Sequence, residues 1–250
     1  MVHLPAIVLP SADCPICPRL AGFRGAQRKA HPDWHNAPVP PFGSGEAELL
    51  IVGLAPGLRG ANRTGRPFTG DYAGDLLYAT LGKFGLASGH YAGRPDDGLK
   101  LNGVRITNAV RCVPPQNKPE TGEIAACRRF LAAELAALPK LRAILALGAI
   151  AHYAVLATKE LKRATYPFAH AAVHELPDGT LLADSYHCSR LNTNTGTLTR
   201  EMFEAVFAAI KERLSPVPKV ARLQRTRLAS TRRSRRNRSA TRPANGMLSE

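Results

Sequence analysis

The sequence predicts an α/β chain built on a central, mostly parallel, four-stranded sheet covered on both faces. Three observations predict it. Four short runs, at residues 49–54, 104–110, 142–147 and 181–186, have the length and apolar character of buried strands. Segments with helical spacing alternate with them, at 71–86, 121–138, 149–157 and 197–214. The strands end in Gly-, Pro- or Asn-containing loops. Strands alternating with helices fold as a parallel sheet with helices on both sides.

The chain opens with Cys14-Pro15-Ile16-Cys17, a C-x-x-C in turn-rich sequence. Residues 19–41 are polar, contain several prolines and the single Trp34, and are expected to be irregular covering structure. Leu49-Leu50-Ile51-Val52 begins the first strand. A long Gly-rich loop, 53–71, leads into the first helix, where Leu76, Leu77, Leu81 and Phe84 lie close to one face. Residues 88–101 are rich in Gly and Asp and are expected to be a loop. The second strand runs into 111–119, where Pro114, Pro115 and Pro119 exclude a helix. The next helix carries Cys127. The third strand stops at Gly148, and a helix follows directly. The fourth strand runs into the polar stretch 187–194, expected to be a loop. The last helix is amphipathic, with Leu198, Met202, Phe203, Val206, Phe207, Ile210 and Leu214 inward.

The chain has 250 residues and a formal charge of +15. Between Lys219 and Glu250 there are ten Lys and Arg against one acid, mixed with Ser, Thr, Ala and Pro. Such a segment buries too little apolar surface to fold alone. We therefore expect a folded domain over 1–218 and a disordered basic tail over 219–250 that binds polyanions. No run reaches the roughly 18 apolar residues of a membrane span, so no membrane is expected as a partner. Five cysteines, outside any small secreted scaffold, suit a reducing cytoplasm.

The loop 53–71 lies at the carboxyl end of a strand and feeds a helix, which is where α/β sheets bind ligands. Its glycines admit close backbone approach. Arg59, Arg63 and Arg66 supply charge, Phe68 a flat apolar face, and Asp71 the only acid in the loop. That set suits a nucleic-acid base and its phosphates. It is neither a G-x-G-x-x-G nor a G-x-x-x-x-G-K-[ST] loop. His187-Cys188-Ser189-Arg190-Leu191-Asn192 follows the last strand, on the same sheet edge. Cys14, Cys17, Cys112 and Cys127 form a possible four-thiolate set; spacing alone leaves zinc and an iron–sulfur cluster both open.

Residue by residue, Gly53-Leu54-Ala55-Pro56 and then Gly60-Ala61-Asn62-Arg63-Thr64-Gly65-Arg66-Pro67-Phe68-Thr69-Gly70-Asp71 resembles the first active-site motif of the family 5 (type B) uracil-DNA glycosylases. Family 4 enzymes resemble Gly-Glu-Ala-Pro-Gly here, and Leu54 in place of that Glu favours family 5. His187 to Asn192 looks like the family's second motif, His-Pro-Ser-x-x-Asn, with Cys188 where Pro is usual. The resemblance covers roughly residues 10–215 and leaves out the basic tail.

The resemblance implies a three-layer α/β/α sandwich and a monofunctional DNA glycosylase. Such an enzyme flips out and excises uracil, and other deaminated bases such as hypoxanthine or xanthine, leaving an abasic site. Its partner would be DNA containing deaminated bases, met on the nucleoid in the cytoplasm, and it would act as a monomer. Asp71 and His187 would be catalytic. Gly53, Ala55, Asn62, Arg63, Phe68, Asn108, Ser189 and Asn192 would bind the substrate. Cys14, Cys17, Cys112 and Cys127 match the ligands of a 4Fe-4S cluster, with a structural role that holds Arg111 and Lys118 near the site. Ala55 stands where other families carry a water-activating polar residue, which throws weight onto Asp71. The alternatives are a family 4-type enzyme and an inactive nucleic-acid-binding protein of the same fold.

Overall fold

The structure, a computed structural model, describes residues 8–215. The compact body runs to Lys211, and a second unit begins at Glu212, of which only the end of the last helix and Ser215 are described. The basic stretch 219–250 lies outside the described residues.

In chain order the elements are α1 (Pro18–Ala30), β1 (Phe42–Gly43), β2 (Leu49–Gly53), α2 (Ala61–Thr64), α3 (Tyr72–Lys83), β3 (Ala87–Ser88), β4 (Lys100–Leu101), β5 (Val104–Asn108), α4 (Thr121–Ala136), β6 (Ala143–Leu147), α5 (Ala149–Thr158), β7 (Val173–Glu175), β8 (Leu181–Ser185), α6 (Arg190–Asn194) and α7 (Arg200–Leu214). The four expected strands form the parallel centre in the order β5-β2-β6-β8. The sheet is nevertheless six-stranded, not four-stranded. β1 pairs antiparallel with β5 at one edge, and β7 pairs antiparallel with β8 at the other. These edges are two and three residues long, too short to leave a period-2 signature in the sequence.

Every residue of β2, β5 and β6 is buried, as expected of parallel strands covered on both faces. Leu50, Val52, Ile144, Ala146 and Leu182 pack with Leu131 of α4 and with Ala151, Ala154 and Val155 of α5. The alternate strand residues Leu49, Ile51, Leu145 and Ala183 are equally buried and point to the other face. α3 buries Leu77 and Leu81, and α7 buries Phe203, Val206, Phe207 and Ile210. The rings of Phe84 and Phe207 lie 6.0 Å apart.

Three segments depart from expectation. Pro18–Ala30 is helical, not irregular. Its buried residues are Leu20 and Arg24, one turn apart. A charged residue on the inward face erased the apolar period, although Pro18 at the first turn and the Ala, Arg, Gln and Lys content favour a helix. Residues 88–101 close into a small sheet through β3 and β4. Residues 187–194 contain the short helix α6, capped by Ser189, whose hydroxyl accepts from the Asn192 amide.

Candidate active site

β2 is the topological switch point, since the chain leaves it for β5 on one side and returns to β6 on the other. The crevice above such a strand is the expected ligand site. The β2–β5 pairing continues past the strand ends, with the Ala109 amide donating to the Gly53 carbonyl and the Val110 amide to that of Leu54. This fixes Asn108 beside Gly53. A Cβ on Gly53 would stand 2.5 Å from Asn108 Oδ1 and 2.6 Å from Phe68 Cζ. Glycine is required there, because only a bare backbone lets the amide and the ring meet over the end of β2.

An open cleft of about 670 Å³ lies above this point. Phe68, Asp71, Asn108, His187 and Ser189 line it, together with Ala55. Phe68 is only 7 % exposed, so it is at once a core residue and a wall of the cleft. Its ring centroid is 5.9 Å from that of His187, with 29° between the planes.

Asp71 caps α3, with Oδ1 accepting from the Gly74 amide at 3.2 Å. Oδ2 is crowded by backbone, because a Cβ on Gly57 would come within 3.0 Å of it and one on Gly60 would overlap it. Burial raises the Asp71 pKa from its usual value, while the hydrogen bond from Gly74 opposes the rise. Burial lowers the His187 pKa, so the imidazole is neutral at neutral pH and available as a donor.

The turn that carries His187 is braced from below. Asn192 Nδ2 donates to the His187 carbonyl at 2.8 Å. Cys188 is fully buried, and its thiol donates to the Ala73 carbonyl in the first turn of α3 at 3.5 Å. Burial, with the nearby Asp71 charge, pushes that thiol up to about 12. It is therefore a neutral packing group rather than a nucleophile.

The other expected site residues are placed differently. Asn62 is buried and donates to Asn36 Oδ1 at 2.9 Å, which ties the loop to the segment after α1, away from the cleft. Arg63 is exposed and reaches back to the Gly70 carbonyl. Asn192 acts on the backbone of His187 and does not line the cleft. Arg66 is not a free cation at the rim; it is buried and paired with Asp97. Arg111 does not line the cleft either; it is fully buried and paired with Glu134. Arg59, Asn117 and Arg190 do line the cleft. Arg59 was legible as a loop cation, but only the fold shows that Asn117 and Arg190 converge on it.

Cys14, Cys17, Cys112 and Cys127 border a second, much smaller cavity of about 20 Å³. They come from the opening turn, the residue before α1, the loop after β5 and α4. Ala55 packs against this cluster as well as lining the cleft, so the two lie back to back. Arg24 Nη1 donates to Cys112 Sγ, and the Arg111 amide donates to Cys127 Sγ, both at 3.4 Å. Arg24 Nε and Arg111 Nε and Nη1 are buried without hydrogen-bond partners among the described residues. Burial raises the pKa of Cys17 and of Cys127, and pushes that of Cys112 up to about 11. Among the described residues, no three donors converge on a single ion position.

A cleft at the switch point of an α/β/α sandwich, walled by a ring, an amide, a carboxylate and a neutral imidazole, defines a protein that receives a planar polar base. The chain belongs to the uracil DNA glycosylase superfamily, whose family model matches residues 40–211. It is similar to the type-5 uracil-DNA glycosylase of Thermus thermophilus, at 49% identity over 79% of this chain and 92% of that protein. The type-5 enzyme of Mycobacterium leprae is 42% identical over 80% of this chain and 90% of its own length. A type-4 uracil-DNA glycosylase of Pyrobaculum aerophilum is 38% identical, but over only 46% of this chain and 52% of its own.

Proposed function

We propose that this protein removes uracil, and other deaminated bases, from DNA by hydrolysing the N-glycosidic bond and leaving an abasic site. The observation that carries the reading is the convergence of Phe68, Asp71, Asn108 and His187 on one cleft from three separate strand ends. The target nucleotide must first leave the duplex, because its glycosidic bond is inaccessible in the stack. Phe68 offers the extruded base a stacking surface. The Asn108 amide both donates and accepts, as pairing with a base edge requires.

As the bond lengthens, positive charge grows on the sugar and negative charge on the base. Asp71 supplies a carboxylate near the cation and holds the attacking water. His187, neutral, donates to the base oxygen that gains charge, so the departing anion is stabilised without a prior protonation. Water's oxygen ends on the sugar carbon as a hydroxyl that keeps one proton, and the other proton passes through solvent to the departing base. Each preorganised partner of this kind is worth on the order of 10²–10³ in rate. Nothing in the reaction needs a second copy of the chain, since every group comes from one, and we infer a monomer. Acting on chromosomal DNA places the protein at the nucleoid. Among the described residues no helix is long and apolar enough to cross a membrane.

We further propose that the four cysteines hold a 4Fe-4S cluster. Charge balance supports a thiolate-bound group at this place. Arg105 and Arg111 share one carboxylate, Glu134, and all three are buried. Arg24 is buried with no ion-pair partner among the described residues. Three buried cations against one anion leave two positive charges, and unpaired buried charge is costly. Four thiolates around a doubly charged metal group carry the two negative charges that balance them. The choice of an iron–sulfur cluster over zinc rests on the match of these four positions to the family's cluster ligands. The group would tie α1 and α4 to the loop behind Ala55, and no step of the hydrolysis passes through it.

The test is incision of duplexes with a single uracil, hypoxanthine or xanthine. Strand breakage only after alkali, at uracil above all, is expected. Failure to release uracil from any duplex would sink the reading.

A further inference from the structure

Phe68 holds a backbone conformation that a bulky residue avoids, with φ at +51°. Such a conformation persists only where the surroundings over-determine it. Here they are unusually complete. The Tyr78 hydroxyl donates to the Pro67 carbonyl at 2.6 Å. The Tyr91 hydroxyl donates to the Phe68 carbonyl at 3.2 Å and accepts from the Gly70 amide at 3.3 Å. Gly74, in α3, has no side chain in the way, since a Cβ there would overlap the Phe68 carbonyl and stand 2.5 Å from the Tyr91 hydroxyl.

Tyr91 is itself held. It belongs to the excursion between β3 and β4, the Gly- and Asp-rich stretch that the sequence left without a role. Asp97 closes that excursion on itself by accepting from the Ala92 and Leu99 amides, at 2.9 and 3.1 Å. It also pairs bidentately with Arg66, at 2.8 and 2.7 Å. The two side chains are 1 % and 5 % exposed. The Arg66 guanidinium lies 5.1, 5.5 and 5.7 Å from the ring centres of Phe42, Tyr78 and Tyr91. Its Nε donates to Thr69 Oγ1 at 2.8 Å. The Arg66 pairing keeps the Asp97 carboxyl well below the usual carboxylate range.

We propose that the β3–β4 excursion is a brace for the base-stacking ring, and that Tyr91 and Asp97 are positioning residues for excision that act through Phe68. The brace fixes the turn at Phe68–Gly70 so that the ring stands over Gly53 beside Asn108, while the same Gly74 amide holds Asp71. Ring and carboxylate are thereby set relative to one another before DNA arrives. The proposal rests on Phe68 as the stacking face, the reading given above.

The test is a double-mutant cycle on single-turnover excision of uracil at saturating enzyme, with full-length protein. Tyr91→Phe deletes one hydroxyl and its two hydrogen bonds. Its rate should fall about tenfold, as both part-buried hydrogen bonds cease to hold the reacting geometry, with affinity for undamaged duplex unchanged. In a Phe68→Ala background the same change should cost nothing further, because the ring it positions is gone. A merely structural hydroxyl would cost the same factor in both backgrounds, and that result, or no loss in the native background, overturns the brace. Asp97→Asn, run through the same cycle, should show the same dependence on Phe68 and guards against idiosyncratic behaviour of either variant. A Phe68→Ala enzyme with native rate would instead refute stacking on Phe68 itself.

Discussion

Asp71→Asn separates the catalytic from the architectural role of this residue. The side chain does two things in the structure, capping α3 through the Gly74 amide and presenting a carboxylate to the cleft. Asn caps helices about as well as Asp, so the cap survives the change. The charge does not. Losing it should slow single-turnover uracil excision by on the order of 10²–10³, or about 3–4 kcal/mol of transition-state stabilisation. Stability should move the other way. Burial raises the folded-state pKa of Asp71, so the folded protein takes up the proton more readily than the unfolded chain. Such a group opposes folding at neutral pH, and the penalty fades as pH falls through the folded-state value. Asp71→Asn should therefore melt at or above the native temperature at pH 7, with the advantage vanishing in acid. Asp71→Ala loses the cap as well. It should be as slow as the Asn variant but less stable than it by about 1 kcal/mol, or roughly 2–4 °C in a domain of this size. Rapid-quench kinetics and thermal melts at two pH values suffice. A native excision rate in Asp71→Asn would falsify the assignment of Asp71, and a lower melting temperature at pH 7 would refute the burial argument.

Other outcomes follow from other sites. The purified protein should be brown with about four iron atoms per chain; Cys112→Ser should lose iron and Cys188→Ser should keep it, whereas zinc without iron after anaerobic purification would rule out the cluster. Glu134→Gln leaves Arg105 and Arg111 without their carboxylate and should cost about 3–5 kcal/mol in chemical denaturation, while an Asp33→Asn control on the surface should cost almost nothing. Truncation after Pro218 should weaken binding to undamaged duplex and flatten the slope of log affinity against log salt by roughly 0.9 for each phosphate that the tail had neutralised; an unchanged slope would remove the tail from DNA binding.

The sequence by itself determined the parallel centre of the sheet, because buried strands are continuous apolar runs and need no partner to be recognised. The ends of β2, β5, β6 and β8 fall within two residues of expectation. It also placed Phe68, Asp71, Asn108 and His187 on one edge, since loops that follow parallel strands must share it. Tertiary structure alone decided what the charged residues do. Arg66 reads as a loop cation and Arg111 as a residue held near the site, and nothing in the sequence marks either of them, or Arg24, as buried, because Arg is rarely buried without a partner. Their partners are distant in the chain: Cys112 for Arg24, Asp97 for Arg66 and Glu134 for Arg111. No local pattern encodes such a pairing. The same holds for Asn62, a motif residue whose amide turns to Asn36 rather than to the cleft. It holds for Gly74 too, whose missing side chain makes room for a carbonyl and a hydroxyl from two other segments. Apolar burial is a property of one residue and its neighbours in sequence, and it can be read there; the pairing of polar groups is a property of two distant segments, and only the fold brings them together.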